Sequence, residues 1–263
     1  MTHSRVEPDP HPAVLPPFQT LLESTDWASL ATACGTGEAL PAALARLTDP
    51  DPVVRESAVR DALGAVTHQN SIYEAAVPVT LCVAAILDHP AVAAPACSPA
   101  EGMAPPNGPT VLRLLDWLGD TAHDADDECV ALGERHYGEG FLDEYEEMRA
   151  FRNARPAVFS AVHPFLGHDD AGIRHAALVA AIPLIEHPFL VRHRADAAGH
   201  ARRLLATSTD RRHRDRALDA LKAWGHDTSG LENASDTAAR DHYVRLRAAR
   251  ASSEGGYSED PPF

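Results

Sequence analysis

Fifteen histidines, four cysteines and 38 carboxylates give this 263-residue chain ample material for metal or acid–base chemistry, so their spacing decides what they could do. A helical zinc site needs two ligands three or four residues apart on one face, and no two histidines stand at that spacing. His163, His168 and His175 lie five and seven apart, and His193 and His200 lie seven apart. Asp126 and Asp127 follow His123 at a workable interval, but the whole stretch around them is acidic. Cys34, Cys82, Cys97 and Cys129 stand singly without a CxxC, which argues against zinc ribbons, dithiol redox motifs and a disulfide framework. There is no glycine-rich phosphate loop and no GxSxG. Gly138-Glu139-Gly140 is too short, and it sets a carboxylate where a phosphate would sit. No carboxylate pair is singled out by its position. The expectation is a non-enzyme with no catalytic residue, no metal and no cofactor.

Recognition chemistry is better represented. Tyr137, Phe141, Tyr145 and Met148 recur at steps of four, four and three, one apolar stripe on a helix, while Asp143, Glu144, Glu146 and Glu147 fall on the other side. Such a helix either packs on the body with a solvated acidic face or presents acid and tyrosine to a basic partner, since tyrosine is favoured as an interface anchor. Tyr137, Phe141, Glu144, Tyr145 and Glu147 are therefore candidate partner-binding residues. His68, Gln69 and Tyr73 form a second candidate group, able to line a concave site or simply to tie a turn together. A third patch, Arg202, Arg203, Arg211, Arg212, Arg214 and Arg216, could touch phosphate. Its interleaved Asp210, Asp215 and Asp219 argue instead for pairing within the molecule.

Charge narrows the partners. The formal net charge is −15, with Lys222 the one lysine beside 22 arginines. Phosphate backbones and anionic lipid repel such a chain, which argues against nucleic acid and membrane and favours a basic protein as partner. Residues 101–150 carry 13 acidic and 3 basic side chains, whereas residues 151–224 carry 7 acidic and 12 basic. No run of apolar residues is long enough to cross a bilayer and no signal peptide is visible, so the expected setting is the cytoplasm. The sequence does not indicate the oligomeric state.

These residues must be positioned by helices. Helical periodicity and capping residues predict helices over 15–23, 27–35, 38–47, 53–66, 72–87 (with Pro78 as a kink or late start), 111–121, 155–166, 171–185, 189–205, 210–224 and 235–250. Beta-branched alternation and Asn-Gly or Asp-Gly hairpin signals are lacking. Residues 88–110, with six prolines, read as a Pro-rich insertion and 124–151 as an acidic one. Residues 1–14 and 251–263 read as disordered arms.

One phrase organises the rest. Leu47, Asp51-Pro52-Val53-Val54-Arg55, Ala58 and Leu63 are echoed by Leu166, Arg174, Ala177 and Ile182, and more loosely by Leu205, Arg214, Ala217 and Leu221. A period of about 40 residues with two helices per unit is the mark of a helical solenoid. The Asp is placed to accept N–H groups of the second helix, and the Arg to bond an Asp of a neighbouring unit.

These phrases resemble HEAT repeats. Trp27-Ala28-Ser29-Leu30, Gly35, Pro41-Ala42-Ala43-Leu44 and His68-Gln69-Asn70-Ser71-Ile72-Tyr73-Glu74-Ala75 are similar to a narrower bacterial set of HEAT-repeat proteins. The resemblance implies an all-α, right-handed α-solenoid of about five helix pairs over residues 15–250. It is consistent with a non-catalytic protein-binding scaffold, in one version an immunity-like neutraliser of a basic protein. HEAT-like DNA glycosylases and structural assembly factors are the alternatives. It transfers no catalytic residue.

Overall fold

The computed structural model describes residues 15–94 and 108–253. The expected arm at 1–14, most of the Pro-rich segment and the tail from 254 lie outside the described residues. The fold is mainly helical: α1 (Phe18–Ser24), α2 (Leu40–Ala45), α3 (Pro52–Leu63), α4 (Ala76–Ala85), α5 (Pro90–Ala93), α6 (Thr110–His123), α7 (Asp127–Tyr137), α8 (Phe141–Glu144), α9 (Glu146–Val162), α10 (Ala171–Leu184), α11 (Arg194–Thr207), α12 (Arg211–Ala223) and α13 (Ala234–Ser253). Two hairpins accompany them. β1 (Ala31–Thr32) pairs with β2 (Gly35–Thr36), and β3 (Thr67–His68) with β4 (Ser71–Ile72), both antiparallel. Among the described residues no helix is long and apolar enough to cross a membrane.

The chain divides into two compact units, Met1–His200 and Ala201–Phe263. In the first, α2 packs on α3, α4 on α9, and α6 on α10, while α3 also meets α6, and α9 meets α10. The seams are built from Ala, Leu and Val. Leu44, Leu47, Ala58, Ala62, Val79, Leu114, Leu115, Ala176, Ala180 and Ala181 have no measurable exposure. Small residues allow close helix approach. At Gly119 of α6, a Cβ would lie 3.3 Å from the backbone of Ala180 in α10, tighter than normal packing. In the second unit α12 packs on α13.

The repeated phrase works locally. Asp51, Asp170 and Asp210 cap α3, α10 and α12, accepting from the N–H groups of Val53, Ile173 and His213 at 2.8, 3.0 and 2.9 Å. Each repeated Arg then turns back on the preceding loop. Arg55 donates to the carbonyls of Asp49 and Pro50, Arg174 to those of His168 and Asp169, and Arg214 to those of Leu205 and Ser208. The Arg is expected to bond an Asp of a neighbouring unit; the guanidinium of Arg214 meets Asp236 at the start of the next helix, α13, with 3.0 Å and 2.5 Å contacts. Arg55 reaches Thr110 Oγ1 at the start of α6 instead.

One expected helical stretch takes another form, and one expected turn is a hairpin. Residues 27–35 make a 3-10 turn at Trp27–Ser29 and then the first hairpin, in which Gly35 (φ +136°) is a ladder residue where the expected helix would have ended. Trp27 donates its indole N–H to the Leu22 carbonyl, and Ala31 N–H is taken by the Glu74 carboxylate at 2.7 Å, so side chains hold the strand that propensity alone does not. The turn at 67–71 is the second hairpin. Gln69 (φ 51°) and Asn70 (φ 57°) are both left-handed, as a two-residue type I′ turn requires.

Candidate functional site

The 137–148 stripe is not one helix. α7 ends at Tyr137, Gly138 and Gly140 turn the chain at φ +100° and +111°, and α8 stops at Glu144 before Tyr145 breaks from helical geometry. The rings meet all the same. Tyr137 stacks on Phe141 at 5.8 Å, and Phe141 meets Tyr145 edge-on at 5.6 Å. Phe141 covers Gly133 of α7 so closely that a Cβ there would overlap its ring. Phe141 is thus the rivet between α7 and α8. Met148, the last member of the stripe, is buried in α9.

The Tyr145 hydroxyl is used within the fold. It accepts from the N–H of Ile72 at 2.9 Å and donates to the carbonyl of the same residue at 2.9 Å. In a two-residue hairpin the pair beside the turn, here His68 and Ser71, exchanges hydrogen bonds, while the next pair, Thr67 and Ile72, turns its backbone groups outward. The phenol satisfies both outward groups of Ile72 and replaces a third strand. Burial raises the Tyr145 pKa, and Glu147 and Tyr73 lie close enough to reinforce the shift. On the other side of the hairpin Thr67 Oγ1 accepts from the indole N–H of Trp117 at 2.8 Å.

The hairpin therefore joins the two candidate groups that the sequence kept apart. His68 and Gln69 are exposed at its tip and Tyr73 is half-buried at its exit. Tyr137, with 79% exposure, stands at the end of α7. Glu134, Glu139, Asp143 and Glu144 are all exposed within ten residues of it. Glu147 is half-buried in the first turn of α9. Tyr145 and Phe141, by contrast, are committed to packing.

The sequence did not single out a groove of about 520 Å3 beside the hairpin. α3 contributes Glu56, Val59, Arg60 and Leu63, and α6 contributes Arg113, Asp116, Trp117 and Asp120, with Thr67 at one end. Arg113 and Glu56 form an ion pair across it. The available signal was the set of polar positions 113, 116 and 120 on one side of an otherwise apolar helix.

A charge cluster around the buried Arg155 anchors α7 to the body. Arg155 of α9, 1% exposed, donates to the Ala125 carbonyl at 2.5 Å and lies 3.2 Å from Glu186. Arg152 bonds Ala125 and Asp127, and the N–H of Asp127 is accepted by Glu186 at 3.0 Å. Burial, with the charge of Asp127, pushes the Glu186 carboxyl up to about 7, and burial with the nearby Arg152 brings Arg155 down to about 10. At the start of α7, Asp126 accepts from Cys129 N–H and meets His123 Nδ1 at 3.4 Å, and these contacts hold its pKa down against the effect of burial.

Among the described residues no three His, Cys, Asp or Glu side chains gather as a metal site requires. The patch at Arg202–Arg216 is partly spent on structure, because Arg214 is buried against Asp236 and Arg211 pairs with Asp215. Comparison of the chain with known protein families, with curated proteins and with solved structures finds no match.

Proposed function

We propose that this chain is a non-catalytic, HEAT-like scaffold that binds a basic protein, as an immunity-like neutraliser would. The observation that carries the reading is the edge of α7 and α8, where an open tyrosine ring has exposed Glu134, Glu139, Asp143 and Glu144 within ten residues, more numerous than the cations Arg135 and Arg149 beside them. Tyrosine supplies a rigid contact surface, and a surrounding field of one sign speeds encounter with a partner of the other. The packing of α2 with α3, α4 with α9 and α6 with α10 supports the repeat architecture, since each seam is one that stacked helix pairs would share. Charge in the groove favours protein over nucleic acid. Glu56, Asp116 and Asp120 outnumber Arg60 and Arg113, whereas a DNA glycosylase groove would be basic.

The test is binding to immobilised small proteins, basic and acidic, at low and high salt. The expected result is retention of basic proteins alone, loss of binding at high salt, and weakening in a Tyr137→Ser, Glu139→Lys, Asp143→Lys variant. Equal retention of acidic proteins, or tighter binding to duplex DNA than to any protein, would overturn the reading.

A further inference from the structure

The geometry points to a second, more specific element: the groove between α3 and α6 receives an arginine side chain from an extended segment of the partner. This rests on the protein-binding reading above and adds a second point of contact to the α7–α8 edge. A volume of about 520 Å3 lies in the usual range of ligand pockets, about 300–1,000 Å3.

The groove has distinct ends and walls. The ion pair of Glu56 with Arg113 lies toward the N-terminal ends of α3 and α6 and cancels its own charge. Beyond it remain Arg60 on one wall against Asp116 and Asp120 on the other, an excess of one negative charge. Asp116 and Asp120 stand one helical turn apart and so face the same way. Both already engage neighbouring groups, but a carboxylate can accept about four hydrogen bonds, and a guanidinium brings five donors in a planar fork. The other end of the groove is the C-terminus of α3, marked by Leu63 and Gly64, where the helix dipole favours a cation.

The remaining walls suit the aliphatic part of such a side chain. Val59, Leu63 and the rim of Trp117 line the groove, and arginine buries its methylene stem on such surfaces while keeping its head among polar groups. Trp117 cannot turn aside, because Thr67 holds its indole N–H and Thr67 belongs to the hairpin that Tyr145 clamps. The wall is therefore fixed before any ligand arrives, which lowers the cost of ordering on binding.

The experiment uses the full chain and fluorescently labelled hexa-arginine, hexa-lysine and hexa-glutamate peptides, followed by anisotropy. Hexa-arginine is expected to bind best, hexa-lysine more weakly and hexa-glutamate not at all. Asp116→Asn with Asp120→Asn should weaken hexa-arginine about tenfold or more. Glu38→Gln with Asp88→Asn, exposed carboxylates that do not line the groove, should weaken it about threefold at most, through lost long-range attraction. Asp120→Asn alone, with a thermal melt of each variant, guards against a folding defect. Unchanged hexa-arginine binding in the groove variants overturns the inference, and so does absence of binding to the unaltered chain. If basic proteins are still retained while the groove variants bind as the parent does, the groove assignment fails and the protein-binding reading survives.

Discussion

Replacing Tyr145 by Phe removes one oxygen and tests how the second hairpin is held. That oxygen serves two backbone groups of Ile72, an N–H and a carbonyl, at 2.9 Å each, and Ile72 is only 3% exposed. A buried backbone group left without a partner costs about 1–3 kcal/mol. Two such groups would cost about 2–6 kcal/mol, but Tyr145 is half-buried and water can reach part of the gap. Phe is also spared the desolvation of a hydroxyl, about 1 kcal/mol. The expected loss is about 2 kcal/mol, read as a lower urea midpoint at unchanged slope. Hydrogen exchange should locate the damage, with the Ile72 amide losing protection while amides in α10 keep theirs. Tyr137→Phe is the control. Its hydroxyl is on a ring with 79% exposure, so the change should stay within about 0.5 kcal/mol. If Tyr145→Phe also falls within that margin and the Ile72 amide stays protected, the phenol does not hold the hairpin.

Other changes have signs that follow from the same geometry. Gly133→Ala should destabilise by about 1–2 kcal/mol, because overlap with Phe141 outweighs the helix preference for alanine. In a Phe141→Ala background the same substitution should become stabilising, and urea titration of the four proteins reads the reversal. Arg214 and Asp236 are 3% and 4% exposed, so Asp236→Ala should cost about 3–5 kcal/mol by stranding a buried guanidinium. Calorimetry should show Arg214→Leu with Asp236→Leu less damaged than the single change. Glu186 is lifted from 4.5 in the unfolded chain to about 7 in the fold. A carboxyl shifted upward contributes stability that is complete below its unfolded pKa and is lost as pH rises through the folded one. Melting temperature should therefore fall from about pH 5 to pH 8 through this group, and Glu186→Gln should remove that slope. The difference between the two proteins isolates Glu186 from His187 and His193, whose lowered pKa values tilt stability the other way as pH falls below 6.5.

The parts of this molecule that could be read from sequence are those whose physics is short-range. Asp51, Asp170 and Asp210 cap within three residues, and the bonds of Arg55, Arg174 and Arg214 back to the preceding main chain stay within nine, so their spacing recurs wherever the device does. The hairpin at 67–72 was hidden because its turn is Gln-Asn and its supports lie 50 and 73 residues away, at Trp117 and Tyr145. Periodicity also grouped Tyr137, Phe141 and Tyr145 correctly for the wrong reason. The rings are neighbours through two glycine turns, and a 3.6-residue repeat cannot report a break that returns the chain to the same place. The groove needed α3 and α6 to be side by side before its lining existed at all. What links these hidden pieces is the hairpin itself. Two residues in left-handed backbone geometry carry strain that persists only where the surroundings over-determine it, and here an indole on one side and a phenol on the other do so. Loosening either support should therefore be felt at the other: a Trp117→Phe change ought to weaken protection of the Ile72 amide without touching Tyr145.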